Sequence, residues 1–132
     1  MVNRYMCGPI WKVEESEGNL FLHGGEDGRT WCINIQECYD AEDEQEIELG
    51  MDTYCIVSEP GQNCCYGGVI ECEIGDQGLY LRLSGETASD LGLDEETYFD
   101  LNIPDEEMRT LRRGLKEVLS SGRQDSIPVM RI

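Results

Sequence analysis

Val69-Ile70-Glu71-Cys72-Glu73-Ile74 and Leu79-Tyr80-Leu81-Arg82-Leu83, joined by Gly75-Asp76-Gln77-Gly78, decide the fold. In the first run Ile70, Cys72 and Ile74 alternate with Glu71 and Glu73, and in the second Leu79, Leu81 and Leu83 alternate with Tyr80 and Arg82. A period of two sends alternate side chains to opposite faces of a strand, so each run has one dry face and one wet face. The glycine-bounded connection is short enough for a hairpin, and the pair therefore reads as two antiparallel strands.

The same pattern recurs outward in both directions. Upstream, Leu20-Phe21-Leu22 runs to Gly24-Gly25, and Asp27-Gly28 leads into Trp31, Ile33 and Ile35, which share a face opposite Thr30, Cys32, Asn34 and Gln36. This is a second hairpin. Tyr54-Cys55-Ile56-Val57 is apolar on both faces, as in a central strand, while Phe99, Leu101 and Ile103 form one more inward row. Residues 86 to 92 carry a single helical turn.

The period then changes. Met108, Leu111, Leu115, Val118 and Leu119 fall on one face of an α-helix over about 105 to 120. Pro104, Asp105, Glu106 and Glu107 suit its positive N-terminal end, Arg112, Arg113 and Lys116 lie toward the other end, and Gly122 stops it. Strands followed by a long helix predict an α+β fold: a mostly antiparallel β-sheet of about five to seven strands with one long C-terminal helix packed on it. With no repeat and no linker-like tract, residues 1 to 132 read as a single domain.

Charge sets limits on function. The chain has 28 acidic and 10 basic side chains, a net charge of -18, and a pI of about 4.1. Residues 1 to 108 carry a net of -22 and residues 109 to 132 a net of +4. So negative a surface repels phosphate backbones and anionic lipid heads, which argues against nucleic acid and membrane as partners. The longest apolar run has four residues, far from the roughly 20 needed to span a bilayer. The first residues show no apolar stretch and no cleavage site of the kind a secretory signal needs, so the chain reads as cytosolic.

Acid is concentrated at Asp40, Glu42, Asp43, Glu44, Glu46 and Glu48, six carboxylates in nine residues. Two readings stand for this stretch: a solvated loop that keeps the protein soluble, or a docking surface for a basic partner. In the second reading Tyr39, Tyr54 and Tyr66 are the aromatic anchors that would supply affinity. A calcium loop does not fit, since counting from Asp40 or Glu42 puts Gln45 or Ile47 where an EF-hand needs glycine.

Catalytic and metal chemistry finds little footing. His23 is the only histidine, and its place after Leu22 and before Gly24 reads as structural or exposed. The seven cysteines include no CxxC pair, and their odd number in a reducing compartment reads as free thiols. Cys32, Cys55 and Cys72 read as small core residues, whereas Cys64 and Cys65 sit together near the loop Gly61-Gln62-Asn63. Neither Gly24-Gly25 nor Gly67-Gly68 precedes a helix, so no phosphate-cradling loop is indicated. The reading is a protein without catalytic residues, metal or cofactor.

Asp43-Glu44-Gln45-Glu46-Ile47-Glu48-Leu49-Gly50-Met51-Asp52-Thr53-Tyr54-Cys55, then Tyr66-Gly67-Gly68-Val69 and Leu79-Tyr80-Leu81-Arg82-Leu83, resemble the bacterial family called immunity protein 10. The resemblance continues through Ala88, Leu91-Gly92-Leu93 and the long helix, covering about residues 29 to 119. It implies a small cytosolic antitoxin of a polymorphic toxin system, which binds a cognate toxin and blocks it in the producing cell. It carries over no catalytic residue. An acidic nucleic-acid mimic acting on a host DNA-binding protein would share the charge and is the alternative reading.

Overall fold

The computed structural model describes residues 8–26, 28–37, 53–59, 63–75, 78–121 and 127–132. Among them are nine strands and two helices. Strands β1 (Ile10–Ser16), β2 (Asn19–Glu26), β3 (Arg29–Gln36), β4 (Cys55–Glu59) and β5 (Asn63–Tyr66) form an antiparallel sheet in the order of the chain. Strands β6 (Val69–Ile74), β7 (Gly78–Leu83), β8 (Glu96–Asp100) and β9 (Val129–Arg131) form a second sheet of order β8-β7-β6-β9, antiparallel except where β9 runs parallel to β6. Helices α1 (Gly85–Leu91) and α2 (Asp105–Leu119) complete the described elements.

The class is α+β and the sheets are mostly antiparallel, but there are two sheets instead of one and nine strands instead of five to seven. Nor does a helix close the chain, because β9 follows α2. The additional strands are those that alternation does not mark. In β1 a register shift between Ile10 and Lys12 breaks the period, leaving Ile10 and Val13 as its buried residues. β5 is a short edge strand, and β9 has only three residues.

Both hairpins form in the expected places, with β2 paired to β3 from Asn19↔Gln36 to Glu26↔Arg29 and β6 paired to β7. Trp31, Ile33 and Ile35 are buried together, as their spacing requires. One inward assignment is overturned. Ile70 is 42% exposed, and Val69 is buried in its stead. The register slips between Val69 and Glu71, where a bulge inserts one residue and resets which side chains face inward.

The inner faces of the two sheets meet in one apolar layer. Trp31 of β3 packs against Phe99 of β8 with ring centroids 5.0 Å apart. Ile33 and Ile56 from one sheet and Leu81 and Leu83 from the other enclose a void of about 10 Å³, which is too small and too apolar to hold water. Gly24 lies against the Trp31 indole, and a Cβ there would come well inside van der Waals contact of Cζ2. Gly68, at φ 95°, sits so close to Thr87 of α1 that a Cβ would collide with its hydroxyl.

The helices seal this layer. The residues expected to give a single turn form α1, capped by Ser84, whose Oγ accepts the Thr87 N–H at 3.2 Å, and ended by Gly92 in the left-handed region. Along α2, Leu111, Leu115, Val118 and Leu119 are buried and Met108 is partly buried. Gly114 allows close approach to Leu20 of β2. At the N-terminal end of α2, Glu107 Oε1 accepts the Val13 N–H at 2.7 Å, so the helix occupies an edge donor of β1 that another strand could otherwise use.

Two substitutions test this packing. Gly24→Ala should lower stability by about 1–3 kcal/mol, the usual range for overpacking a filled core, measured by urea unfolding. Glu107→Ala should cost roughly 1.5–3 kcal/mol, because a charge-assisted hydrogen bond is lost and a part-buried donor is left behind.

Candidate partner-binding surface

Because β1 to β5 bury one face against the second sheet, their alternate residues form an outer face. Register places Lys12, His23, Cys32 and Glu59 in one row across it and Glu14, Phe21, Asn34, Val57 and Cys64 in the next. A third row runs through Ser16, Asn19, Gln36, Cys55 and Tyr66. The irregularity between Ile10 and Lys12 brings Trp11 to this face, where its ring stacks on His23 at 6.0 Å. On its other side His23 stacks with Phe21 at 6.4 Å, giving a row of three rings.

This end of the face holds a hollow of about 500 Å³ lined by Trp11, Phe21, His23, Thr30, Trp31, Cys32 and Glu59. Its electrostatics oppose nucleophilic chemistry. Burial pushes the Cys32 thiol up, and the carboxylates of Glu59 and Glu14 push it the same way, so the thiol stays protonated instead of becoming a thiolate. His23 Nε2 lies 3.6 Å from Glu14 Oε2, beyond hydrogen-bond reach, and is buried without a hydrogen-bond partner among the described residues. Glu14 is itself held by Lys12 at 2.8 Å, which lowers its carboxyl and raises the Lys12 ammonium. Among the described residues no group of three His, Cys, Asp or Glu is placed to hold a metal ion.

Tyr39, Asp40, Glu42, Asp43, Glu44, Glu46 and Glu48 lie outside the described residues. Their flanks are fixed, however: the chain leaves β3 at Gln36 and enters β4 at Cys55, and those two residues are paired neighbours. Tyr66 pairs with Cys55 at the same end of the sheet and is 42% exposed. Tyr54 is placed differently from an interface anchor. Its side chain is fully buried, and its hydroxyl accepts the Val69 N–H at 3.0 Å, tying the start of the second sheet to the approach to β4. An apolar residue at a strand start and an exposed anchor look alike in sequence, and only the second sheet distinguishes them.

The adjacent cysteines do point apart. Cys64 is exposed on the outer face, with its sulfur 3.0 Å from that of Cys55, whereas Cys65 packs against the core. The aromatic row of Trp11, Phe21 and His23 was not legible in the sequence, because it depends on the β1 irregularity and on register. The one available sign was the alternation of Phe21 and His23 opposite Leu20 and Leu22.

The chain matches the family model of Immunity protein 10 over residues 13–109, well over half its length, and belongs to that family. The matched span takes in most of β1 and all of β2, upstream of residue 29. Membership implies an immunity protein directed against a toxin, and an inhibitory role for it. No curated protein and no solved structure matches the chain. No helix among the described residues is long and apolar enough to cross a membrane.

The buried acids of the core make stability depend on pH at the alkaline end. Burial raises Cys55, Cys72 and Tyr54 to about 12 and Cys65 to about 11, from ordinary values of 9.0 for the thiols and 10.0 for the phenol. The unfolded chain therefore releases these protons first as pH rises. Their contribution is intact below pH 9 and is lost between about 9 and 12. Urea unfolding should show stability falling steadily across that window, and a flat profile would contradict the burial of these groups.

Proposed function

We propose that the protein is a cytoplasmic antitoxin of a polymorphic toxin system that binds one cognate toxin and blocks it by protein–protein contact, without cofactor or turnover. The match to Immunity protein 10 over residues 13–109 is the observation that carries this reading. The charge supports a toxin with a basic active site, such as a nuclease. Its active site must attract phosphates, and a surface with a net of -18 is an electrostatic competitor for the same groups.

The proposed contact set is Tyr39, Asp40, Glu42, Asp43, Glu44, Glu46, Glu48 and Tyr66. Tyr54 is omitted because it is fully buried. Six carboxylates within nine residues act mainly by steering encounter, and the aromatic side chains supply the slower dissociation. Cys64 and Cys65 have no part in it.

A tagged pull-down from the native organism at low and high salt tests the reading, with mass spectrometry of whatever is retained stoichiometrically. A single retained protein with a toxin domain is the expected outcome, whereas a host DNA-binding protein would favour the nucleic-acid mimic. Reversing Glu42, Asp43, Glu44 and Glu46 to lysine should slow association with the toxin by about tenfold or more at low salt and much less at physiological salt. An unchanged on-rate would place the interface elsewhere.

A further inference from the structure

The outer face of the five-stranded sheet carries a site that neither the family match nor the acidic stretch assigns. We infer that the hollow lined by Trp11, Phe21, His23, Trp31, Cys32 and Glu59 receives an arginine side chain of the toxin, stacked on the aromatic row with its guanidinium held by Glu59. This rests on the proposed antitoxin function and names a subsite for its partner.

The hollow selects a planar cation. Trp11 is 42% exposed at one end of the row with His23 and Phe21, so part of its indole is open to whatever enters. Such faces attract cations, arginine above all, because its guanidinium is flat and weakly hydrated and donates hydrogen bonds at its edges while stacking. Glu59 lines the hollow and makes no hydrogen bond or ion pair with any described residue, so its carboxylate is available for those donors. Lys12, in the same row, is already engaged by Glu14 at 2.8 Å.

Other occupants fit less well. An anion would meet the carboxylates of Glu59 and Glu14, which repel it. A purely apolar side chain would cover Glu59 without satisfying it, at a desolvation cost. A lysine could meet the carboxylate but would bring a strongly hydrated ammonium to the rings and match neither their plane nor a two-oxygen acceptor. The volume of about 500 Å³ is ample for one side chain and part of its backbone.

Of the two tryptophans, Trp11 is 42% exposed at this hollow whereas Trp31 is buried against Phe99, so a change in intrinsic fluorescence on filling the hollow is read through Trp11. The full-length protein would be titrated with an acetylated, amidated tri-arginine peptide and with tri-lysine and tri-citrulline counterparts. Citrulline keeps the shape and removes the charge. The expected result is a saturable emission change with tri-arginine, weaker binding of tri-lysine, and binding of tri-citrulline weaker by about tenfold or more. Glu59→Gln should weaken tri-arginine binding about fivefold, as should Trp11→Ala, both measured by isothermal titration calorimetry. The variant with Glu42, Asp43, Glu44 and Glu46 reversed should still show the saturable change.

An equal response to tri-citrulline, or unchanged binding in Glu59→Gln with its circular dichroism intact, overturns the inference. So does loss of the response on reversing the four acids, which would locate binding on that stretch. Once the toxin is in hand, equal dissociation rates for the wild type and for both Glu59→Gln and Trp11→Ala would overturn the subsite and leave the antitoxin reading standing. Capture of no toxin would overturn the antitoxin reading, and with it the toxin as source of the arginine, even if the peptide binds.

Discussion

Trp31 lies over Gly24 and meets Phe99 across the gap between the two sheets, and the rest of the structure depends on that closed inner layer. Neither sheet can bury its apolar face alone. Each supplies the other's cover, and the two helices seal what remains, with Gly114 admitting α2 close to Leu20 and Gly68 admitting α1 close to the start of β6. Three of these contacts, at Gly24, Gly68 and Gly114, need a missing side chain, so the layer has little tolerance for added volume.

Closing the inner face creates the outer one. Once Leu20, Leu22, Ile33 and Ile35 are committed inward, Phe21, His23, Cys32 and Asn34 must face the other way, and the irregularity in β1 adds Trp11 beside them. The face therefore carries rings and carboxylates together. At one end stands the aromatic hollow with Glu59. At the other, Gln36, Cys55 and Tyr66 mark where the acid-rich segment departs and returns. Under the proposed function, both ends would meet cationic parts of the partner, one through diffuse charge and the other through the hollow.

The chemistry of this face also leaves its thiol unactivated. A histidine, a cysteine and two glutamates share one face across four neighbouring strands, a grouping that would suggest a nucleophile and its base. Yet burial, and after it the acids, raise the Cys32 thiol, and the imidazole of His23 is flanked by rings and by Glu14, with its Nε2 beyond hydrogen-bond reach of that carboxylate. An inhibitor directed against a toxin requires no activated group, and this arrangement is consistent with the role that the family implies.

The sequence alone determined the elements whose periodicity is local: the two hairpins, the inward set Trp31, Ile33 and Ile35, the buried face of α2, and the acidic stretch with the family motif around it. Those follow from side-chain alternation, helical spacing and composition, each visible within a short window. Only the tertiary structure decided that the strands divide five and four, that Ile70 faces out at a bulge, that Tyr54 is core, and that Trp11 joins Phe21 and His23 around a hollow. These depend on register and on which sheet covers which face. Alternation states that a strand has two faces; the partner it packs against decides which residues are left for water or for another protein.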